Sequence, residues 1–210
     1  MCALKIGLFG GSFDPIHQGH TRLAEAIFKS LALDELYWIP AFQSLNNKSL
    51  QVCAEHRLKM CAIIANKHPG FKISDFETNK KRAVYTIETI EYFHQKFPNA
   101  KLYWIMGADQ AINLHAWNNA EAILKLATII VYPREHTDMP HELNIAGNAY
   151  PAISDSKYFE QASIIYLQQQ PYFKSASSEI KSSSFNKDNY LKHLDPDILA
   201  YIKLNHLYQE

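Results

Sequence analysis

Two histidines that follow a glycine turn are the residues of this chain best suited to phosphate chemistry. His17 and His20 stand three residues apart, directly after the segment 10–16, Gly-Gly-Ser-Phe-Asp-Pro-Ile. At the start of a helix, histidines with this spacing lie on one face and can donate to the same phosphate group. We expect this helix start to face solvent, so that replacing either histidine would cost little packing.

The glycine turn itself contributes backbone N–H groups. A helix start leaves such groups without partners inside the helix, and they favour an anion. Neither the Walker motif nor the dinucleotide-binding motif matches the turn, because the required lysine and third glycine are missing. The sequence therefore predicts a different kind of phosphate site. Its expected residues beside the two histidines are Gly10, Gly11, Ser12 and Phe13.

Alternating strand and helix patterns surround the turn. Residues 3–9 form a short apolar run, and residues 21–33 repeat apolar side chains with the period of a helix. Further strands are predicted at 35–39, 71–76, 101–106, 128–132 and 162–167, and further helices at 54–67, 86–96, 119–125 and 188–204. Such alternation predicts an α/β fold, a doubly wound parallel sheet of the Rossmann-like type, because right-handed crossovers place helices on both faces.

Four segments follow predicted strands directly, namely 10–20, 40–49, 107–109 and 133–136. Ligands of open parallel sheets bind beyond the carboxyl ends of the strands. These segments are therefore expected to meet at one edge and form a single cleft. The whole chain, 1–210, is expected to form one domain with a helical C-terminal part from about 175 to 210, while no regular structure is predicted for 135–156.

Composition narrows the class of protein. Lys+Arg and Asp+Glu both total 21 in 210 residues, so no basic field points to nucleic acid as a partner. The three cysteines have no metal-ligand spacing, which fits reduced thiols in a cytoplasmic protein. No apolar stretch approaches the roughly 18 residues of a membrane span. The composition predicts a soluble, cytoplasmic protein and leaves open whether it forms a homo-oligomer.

The segment from Gly10 to His20 resembles the signature of the nucleotidyltransferase superfamily. Four further stretches resemble the bacterial nicotinate-mononucleotide adenylyltransferases, in the order of that family. They are Ala-Glu-His-Arg-Leu at 54–58, Asp-Phe-Glu at 75–77 with Tyr-Thr at 85–86, Gly-Ala-Asp at 107–109 with Trp117, and Ser-Ser-Glu-Ile-Lys at 177–181.

This resemblance implies transfer of adenylate from ATP to the 5′-phosphate of nicotinate mononucleotide, which gives deamido-NAD and pyrophosphate. The substrate phosphate is itself the nucleophile, so the protein positions groups and stabilises charge. His17 and His20 are the implied catalytic residues. Mg²⁺ is expected to be bound mainly through ATP phosphates and water, because the sequence has no Asp/Glu cluster for a metal cage.

The resemblance also implies roles for residues outside the glycine turn. Asp109 would accept hydrogen bonds from the ATP ribose, and Gly107 would allow a close backbone approach. Trp117 would stack on the pyridine ring, while backbone N–H groups near Thr86 and Asn118 would bind the nicotinate carboxylate. The implied ATP site is completed by Lys48, Arg134, Ser178 and Lys181.

Four positions depart from the family pattern. The loop 45–48 keeps only its lysine, Val84 replaces a serine, no Pro-Gly follows Arg134, and Lys181 replaces an arginine and loses its planar fork. Two alternatives stay open at this point. One is an adenylyltransferase that uses nicotinamide mononucleotide or another phosphate acceptor, and the other is a catalytically inactive nucleotide-binding or interaction protein.

Overall fold

The computed structural model of the chain describes residues 3–45, 49–134, 137–168 and 193–208. Strands and helices alternate along these residues. The strands are β1 (Lys5–Gly11), β2 (Glu35–Pro40), β3 (Phe71–Ile73), β4 (Lys101–Gly107), β5 (Ala127–Tyr132), β6 (Glu142–Ile145), β7 (Asn148–Ile153) and β8 (Ile164–Tyr166). The α-helices are α1 (Gln18–Ser30), α2 (Ala54–Lys67), α3 (Phe76–Asn79), α4 (Thr86–Lys96), α5 (Ala108–Ala111), α6 (Ala120–Leu126) and α7 (Pro196–Leu204). Two short 3-10 helices span Leu114–Ala116 and Ser156–Gln161.

The described strands form one sheet in the order β3-β2-β1-β4-β5-β8-β7-β6. Neighbouring strands are parallel, apart from the antiparallel pair β6 and β7. The chain winds outward from β1 in one direction and from β4 in the other. The gap beyond the carboxyl ends of β1 and β4 is therefore the switch point at which ligands of such sheets bind. This arrangement confirms the predicted parallel α/β fold.

Apolar side chains cover both faces of the sheet, as expected for parallel strands. One core cluster contains Trp38 and side chains of α1, α2 and α7, such as Ile27, Met60 and Ile198. The other contains Trp104 and side chains of α4 and α6. Helices thus lie on both faces, which is the doubly wound arrangement. None of the helices in the described ranges is long and apolar enough to cross a bilayer.

The predicted strand at 71–76 is wrong in its second half. β3 ends at Ile73, and a short helix, α3, begins at Phe76. The side chain of Ser74 turns the chain, because its hydroxyl oxygen accepts the N–H of Phe76 at 3.4 Å. Similarly, α1 begins at Gln18, three residues before the predicted start. The consequence for the site is that His20 lies within the helix and His17 caps it.

The segment without a predicted structure contains a β-hairpin of β6 and β7. Its two-residue loop is Ala146-Gly147, with positive φ angles of 52° and 82°. Positive φ at both loop positions is the geometry that matches the twist of a hairpin. Alanine is an unusual residue for this loop, which explains why the sequence pattern did not reveal it.

The segment 193–208 packs back onto the N-terminal part of the chain. Asp195 caps α7 by accepting the N–H of Asp197 at 2.9 Å, as the Asp-Pro pair predicts. The N–H of Gln18 donates to the carbonyl of His193 at 2.8 Å, and the hydroxyl of Tyr208 donates to Asp14 at 2.7 Å. The C-terminal part therefore holds the glycine turn and the start of α1. The serine-rich stretch and residues 188–192 of the predicted tail helix lie outside the described residues.

Candidate active site

A cavity of about 320 Å³ opens at the carboxyl edge of the sheet. Its walls come from the segments after β1, β2 and β4 and from the start of α4, so the predicted convergence holds for residues of 10–20 and 40–49. The described residues of 107–109 and 133–136 do not line this cavity, although Asp109 and Arg134 lie together. Six of the predicted site residues line it: Gly10, Gly11, Ser12, Thr86, Trp117 and Asn118. The other described lining residues are Ala41, Gln43, Ser44, Leu45, Glu77, Val84, Tyr85, Trp104, Gln110 and Ala116.

The glycine turn lies against the indole ring of Trp104. A Cβ atom at Gly10 would lie only 2.6 Å from Cη2 of that ring. Any side chain at this position would displace the turn or the tryptophan. Gly10 therefore serves close packing, and this packing brings the backbone of the turn to the floor of the cavity.

The predicted histidines lie together at the start of α1. Their ring centroids are 3.7 Å apart, and the backbone N–H of His17 donates to Nδ1 of His20 at 3.3 Å. The prediction that this helix start faces solvent is wrong for His17, which is only 5% exposed. The segment around His193 covers it, since the backbone of Gln18 is bonded there.

Burial also sets the charge of His17. The pKa of His17 is lowered to about 3, mainly by burial and in addition by the nearby Arg134 and His193. At neutral pH the imidazole is therefore uncharged, with one N–H donor and one acceptor nitrogen. It can donate to a phosphate oxygen without bringing a net charge into the site.

The side chain of Phe13 packs in the core, whereas its place in the turn predicted a contact with ATP. Its φ angle is 44°, and its ring is buried among Phe9, Trp38 and His20. The ring of Phe13 contacts the ring of His20 edge-on, with the two centroids 5.2 Å apart. The side chain therefore supports the histidine from the core, and Phe13 can serve a ligand only through its backbone.

Arg57, in the first turn of α2, is a residue whose structural role sequence reasoning missed. Its side chain is fully buried. The guanidinium donates to the carbonyl oxygens of Ser12 at 2.7 Å, Phe42 at 3.0 Å and Val52 at 3.0 Å. Arg57 thus joins the turn after β1 to the loop after β2. The His-Arg pair in the sequence marked this position without showing what it does.

Gly107, Asp109 and Arg134 form a second group of predicted residues. A Cβ atom at Gly107 would lie 2.3 Å from Oδ1 of Asp109 and 2.9 Å from Nε of Arg134. Oδ1 of Asp109 is buried and accepts no hydrogen bond within the described chain, and its ion pair with Nε of Arg134 spans 3.4 Å. The missing side chain of Gly107 therefore makes room for this charged pair.

The guanidinium of Arg134 connects this group to the histidines. It lies over the ring of Tyr132 at 5.3 Å from the centroid, and Tyr132 in turn packs against Phe9. Its charge reaches His17, where it contributes to the lowered pKa. The two groups of predicted ATP-binding residues thus lie on neighbouring strands at the same edge.

The start of α4 forms the opposite wall of the cavity. Glu88 accepts the N–H of Tyr85 at 3.0 Å, and it also accepts hydrogen bonds from Nη1 and Nη2 of Arg82. Thr86 occupies the first helical position, where a backbone N–H has no acceptor within the helix. Trp117 is half-buried and follows the 3-10 helix Leu114–Ala116. The structure thus brings together Thr86, Trp117 and Asn118 as predicted.

Glu77 belongs to the motif at 75–77, but sequence reasoning gave it no role of its own. It lines the cavity but is only 6% exposed, and its Oε1 accepts the hydroxyl of Thr89 at 2.7 Å. The pKa of Glu77 is raised to about 7, mainly by burial, with the bond from Thr89 opposing the shift and the carboxylate of Glu88 contributing to it. A carboxyl group in this wall therefore changes its charge near neutral pH.

Three predicted residues lie outside the described part of the chain: Lys48, Ser178 and Lys181. Their expected contacts with the triphosphate stay predictions. Among the residues that the structure describes, no three His, Cys, Asp or Glu side chains gather as metal ligands.

Comparison with known proteins places this architecture. Residues 8–183 match the family model described as cytidylyltransferase-like. The chain belongs to the cytidylyltransferase-like family. The match covers the glycine turn, the cavity walls and the strands that carry them.

Two relatives resemble this cytidylyltransferase-like protein over nearly its full length. A protein of Neisseria meningitidis serogroup C is 30% identical over 210 residues, with 98% of this chain and 99% of the relative covered. A protein of Shewanella sp. is 31% identical over 213 residues, with coverage of 99% and 98%. Both carry the name "Probable nicotinate-nucleotide adenylyltransferase".

A solved structure shares the fold. The nicotinic acid mononucleotide adenylyltransferase of Plasmodium falciparum, complexed with NaAD, matches with a TM-score of 0.74 over 98% of this chain and 97% of that chain. At 21% identity this likeness concerns the fold alone. It agrees with the parallel sheet and helical layers of the cytidylyltransferase-like chain.

Proposed function

We propose that this chain transfers adenylate from ATP to nicotinate mononucleotide and forms deamido-NAD and pyrophosphate. The observation that carries the proposal is the placement of the histidine pair and the cavity at one edge of the sheet. Both full-length relatives bear the name of this activity. The Plasmodium falciparum enzyme of the same fold was solved with NaAD, the product of such a reaction.

The ATP end of the site is assigned to the turn after β1 and the group after β4. The backbone of Gly10, Gly11 and Ser12 and the imidazoles of His17 and His20 would contact phosphate oxygens. Asp109 would accept hydrogen bonds from the ribose through Oδ2, since Oδ1 is buried. Arg134 would then lie beside the adenine.

The acceptor end is assigned to the cavity wall formed by Thr86, Trp117 and Asn118. A volume of about 320 Å³ suits a ring and its sugar, and it falls in the range of small-molecule sites. The indole would stack on the pyridine, and N–H groups at Thr86 and Asn118 would bind its carboxylate. The mononucleotide phosphate would then point toward the glycine turn.

The chemistry needs no protein nucleophile. The mononucleotide phosphate attacks the α-phosphorus of ATP in line, its oxygen–phosphorus bond forms, and pyrophosphate leaves with the electrons of the broken bond. The neutral imidazole of His17 and that of His20 donate N–H groups to oxygens on which negative charge builds up. Such preorganised donors stabilise the transition state more than the ground state.

A divalent cation fits this site only as a companion of ATP. The nearby imidazoles are nitrogen donors, whereas Mg²⁺ prefers oxygen ligands and keeps several waters. The described residues also lack a metal-ligand cluster. When bound, the ion would neutralise charge on the β- and γ-phosphates, and protein side chains would supply few of its ligands. A cytoplasmic location for this reaction is part of the same proposal.

Pyrophosphate release tests the function. The full chain is incubated with ATP and Mg²⁺ together with nicotinate mononucleotide, nicotinamide mononucleotide or phosphopantetheine. We expect the highest kcat/KM with nicotinate mononucleotide. Release that depends on phosphopantetheine alone would reject the substrate, and no release with any acceptor would favour the inactive nucleotide-binding protein.

A further inference from the structure

Glu77 lies beside the part of the cavity that the proposed function assigns to the nicotinate carboxylate. Its Oε1 accepts the hydroxyl of Thr89 at 2.7 Å. Thr86 and Thr89 are one helical turn apart on α4 and so share a face. The carboxyl group bonded to Thr89 is therefore next to the first turn of α4, which begins at Thr86, one of the two residues whose N–H groups are assigned to the carboxylate.

The second oxygen of Glu77 is available to a ligand. In the described part of the chain, Oε2 accepts no hydrogen bond, yet it is not among the atoms sealed from solvent. The residue is 94% buried and is one of those that line the cavity, so we infer that a ligand reaches Oε2 from the cavity side. An unpaired polar atom in such a place needs a partner when a ligand displaces the water.

The groups around Glu77 do not neutralise it. Glu88 on α4 carries a like charge and is itself paired with Arg82. On the elements packed against α3, the Tyr37 hydroxyl of β2 donates to Glu35, and Arg57 of α2 is bonded to three carbonyls. Within the described residues, none of these forms an ion pair with Glu77. Two facing carboxylates at this position would repel each other in a poorly solvated site.

We propose that Glu77 is a specificity-determining residue whose protonated carboxyl group donates a hydrogen bond from Oε2 to the carboxylate of nicotinate mononucleotide. This inference rests on the proposed function and deepens it. One proton shared between the two carboxyl groups replaces their repulsion with a charge-assisted hydrogen bond. The acid substrate is then bound together with a proton, which comes from solvent when Glu77 is ionised in the free protein.

This arrangement couples substrate choice to pH. The raised pKa of Glu77, about 7, means that the donor is present below neutrality and is lost as the pH rises. Between pH 6.5 and 8.5 the protonated fraction of such a group falls about 25-fold. Binding of nicotinamide mononucleotide does not depend on this proton. Its carboxamide can accept from protonated Glu77 through the carbonyl or donate to ionised Glu77 through the NH₂ group.

The test is the ratio of kcat/KM for nicotinate mononucleotide over nicotinamide mononucleotide, measured with ATP from pH 6 to 9. Both substrates carry the same ribose phosphate, so its titration cancels in the ratio. We expect the ratio to fall about 25-fold from pH 6.5 to 8.5 in the wild-type protein. In Glu77→Gln it should be independent of pH and still favour the acid, because the amide of glutamine donates at every pH.

Glu91→Gln is the matched control. It removes an exposed carboxylate from α4 and should keep the wild-type pH profile.

A second measurement uses only the wild-type protein. Calorimetry of wild-type protein at pH 8, in buffers of different ionisation enthalpy, should show uptake of about one proton with nicotinate mononucleotide and none with the amide.

The outcomes separate the two proposals. A pH-independent ratio in the wild-type protein, an unchanged profile in Glu77→Gln, or binding without proton uptake would each overturn the role of Glu77 and leave the adenylyl transfer standing. Lack of pyrophosphate with both mononucleotides would instead reject the proposed function and the inference with it.

Discussion

The backbone N–H of His17 donates to Nδ1 of His20 across 3.3 Å, while the two rings lie 3.7 Å apart. A ring nitrogen that accepts a hydrogen bond carries no proton, so the neutral imidazole of His20 carries its proton on Nε2. The hydrogen bond at the start of α1 therefore fixes the tautomer of His20, the third residue of the helix. In the proposed function, this Nε2–H group is the one that donates to a phosphate.

Replacing His20 with alanine should lower kcat by roughly 10²–10³-fold, because one preorganised donor to the developing charge is lost. His17→Ala should lower kcat similarly and also reduce stability, since that side chain is buried. Pyrophosphate release and thermal denaturation measure the two effects. His94→Ala, in the last turn of α4 and exposed, is the control. A folded His20→Ala protein with normal kcat would exclude this role.

Changing Arg57 to lysine should weaken both the fold and the use of ATP. One ammonium group cannot reach the three carbonyls that the guanidinium bonds, and each buried carbonyl left unpaired costs about 1–3 kcal/mol. The turn after β1 would lose its tie to the loop after β2, so KM for ATP should rise several-fold. Denaturant titration and initial rates measure these changes, with the exposed Arg22→Lys as control. Unchanged KM values would show that Arg57 matters for folding alone.

Trp117→Ala should raise KM for nicotinate mononucleotide while changing that for ATP much less. The side chain lines the cavity at the acceptor end and is assigned the pyridine ring. Loss of one aromatic stacking partner costs about 0.5–1.5 kcal/mol beyond the lost contact area. Initial rates with each substrate varied in turn provide the measurement. A defect limited to ATP would show that Trp117 does not bind the pyridine ring of the mononucleotide.

The stability of the protein should depend on pH through Glu77. Its pKa is raised in the folded state, so its stabilising protonated form is fully present below the unfolded value near 4.5 and is lost as the pH rises to about 7. Relative to Glu77→Gln, the wild-type protein should therefore lose up to about 3 kcal/mol across this window. Denaturant titrations at pH 4.5 and 8 measure the difference. An equal gap between the two proteins at both pH values would contradict the shift.

The sequence predicted those helices and strands whose own residues repeat with the period of the element. α2 and α4 begin and end at the predicted residues, because their apolar side chains repeat with the helical period over three turns. The parallel sheet and the meeting of its loops followed from the alternation of these elements. The motif around the glycine turn marked the two histidines as candidate catalytic residues, and that role stays a prediction.

The features that escaped prediction depend on contacts between distant segments. His17 is buried next to Gln18, whose backbone is bonded to the distant His193, and the buried Glu77 is bonded to a threonine of the next helix. A charged or polar residue in a sequence is expected at the surface, because burial without a partner is costly. The partners of Arg57 are backbone carbonyls, which leave no trace in residue types.

The hydrogen bond from Tyr208 to Asp14, next to the glycine turn, can form only late in the synthesis of the chain. The two residues are separated by 194 positions, so at roughly 5–20 residues per second the second is made about 10–40 s after the first. β1 and its glycine turn can pair with β2 and β4 long before that time. The contacts from residues 193–208 form last, so a nascent chain has its glycine turn well before the C-terminal contacts can stabilise it.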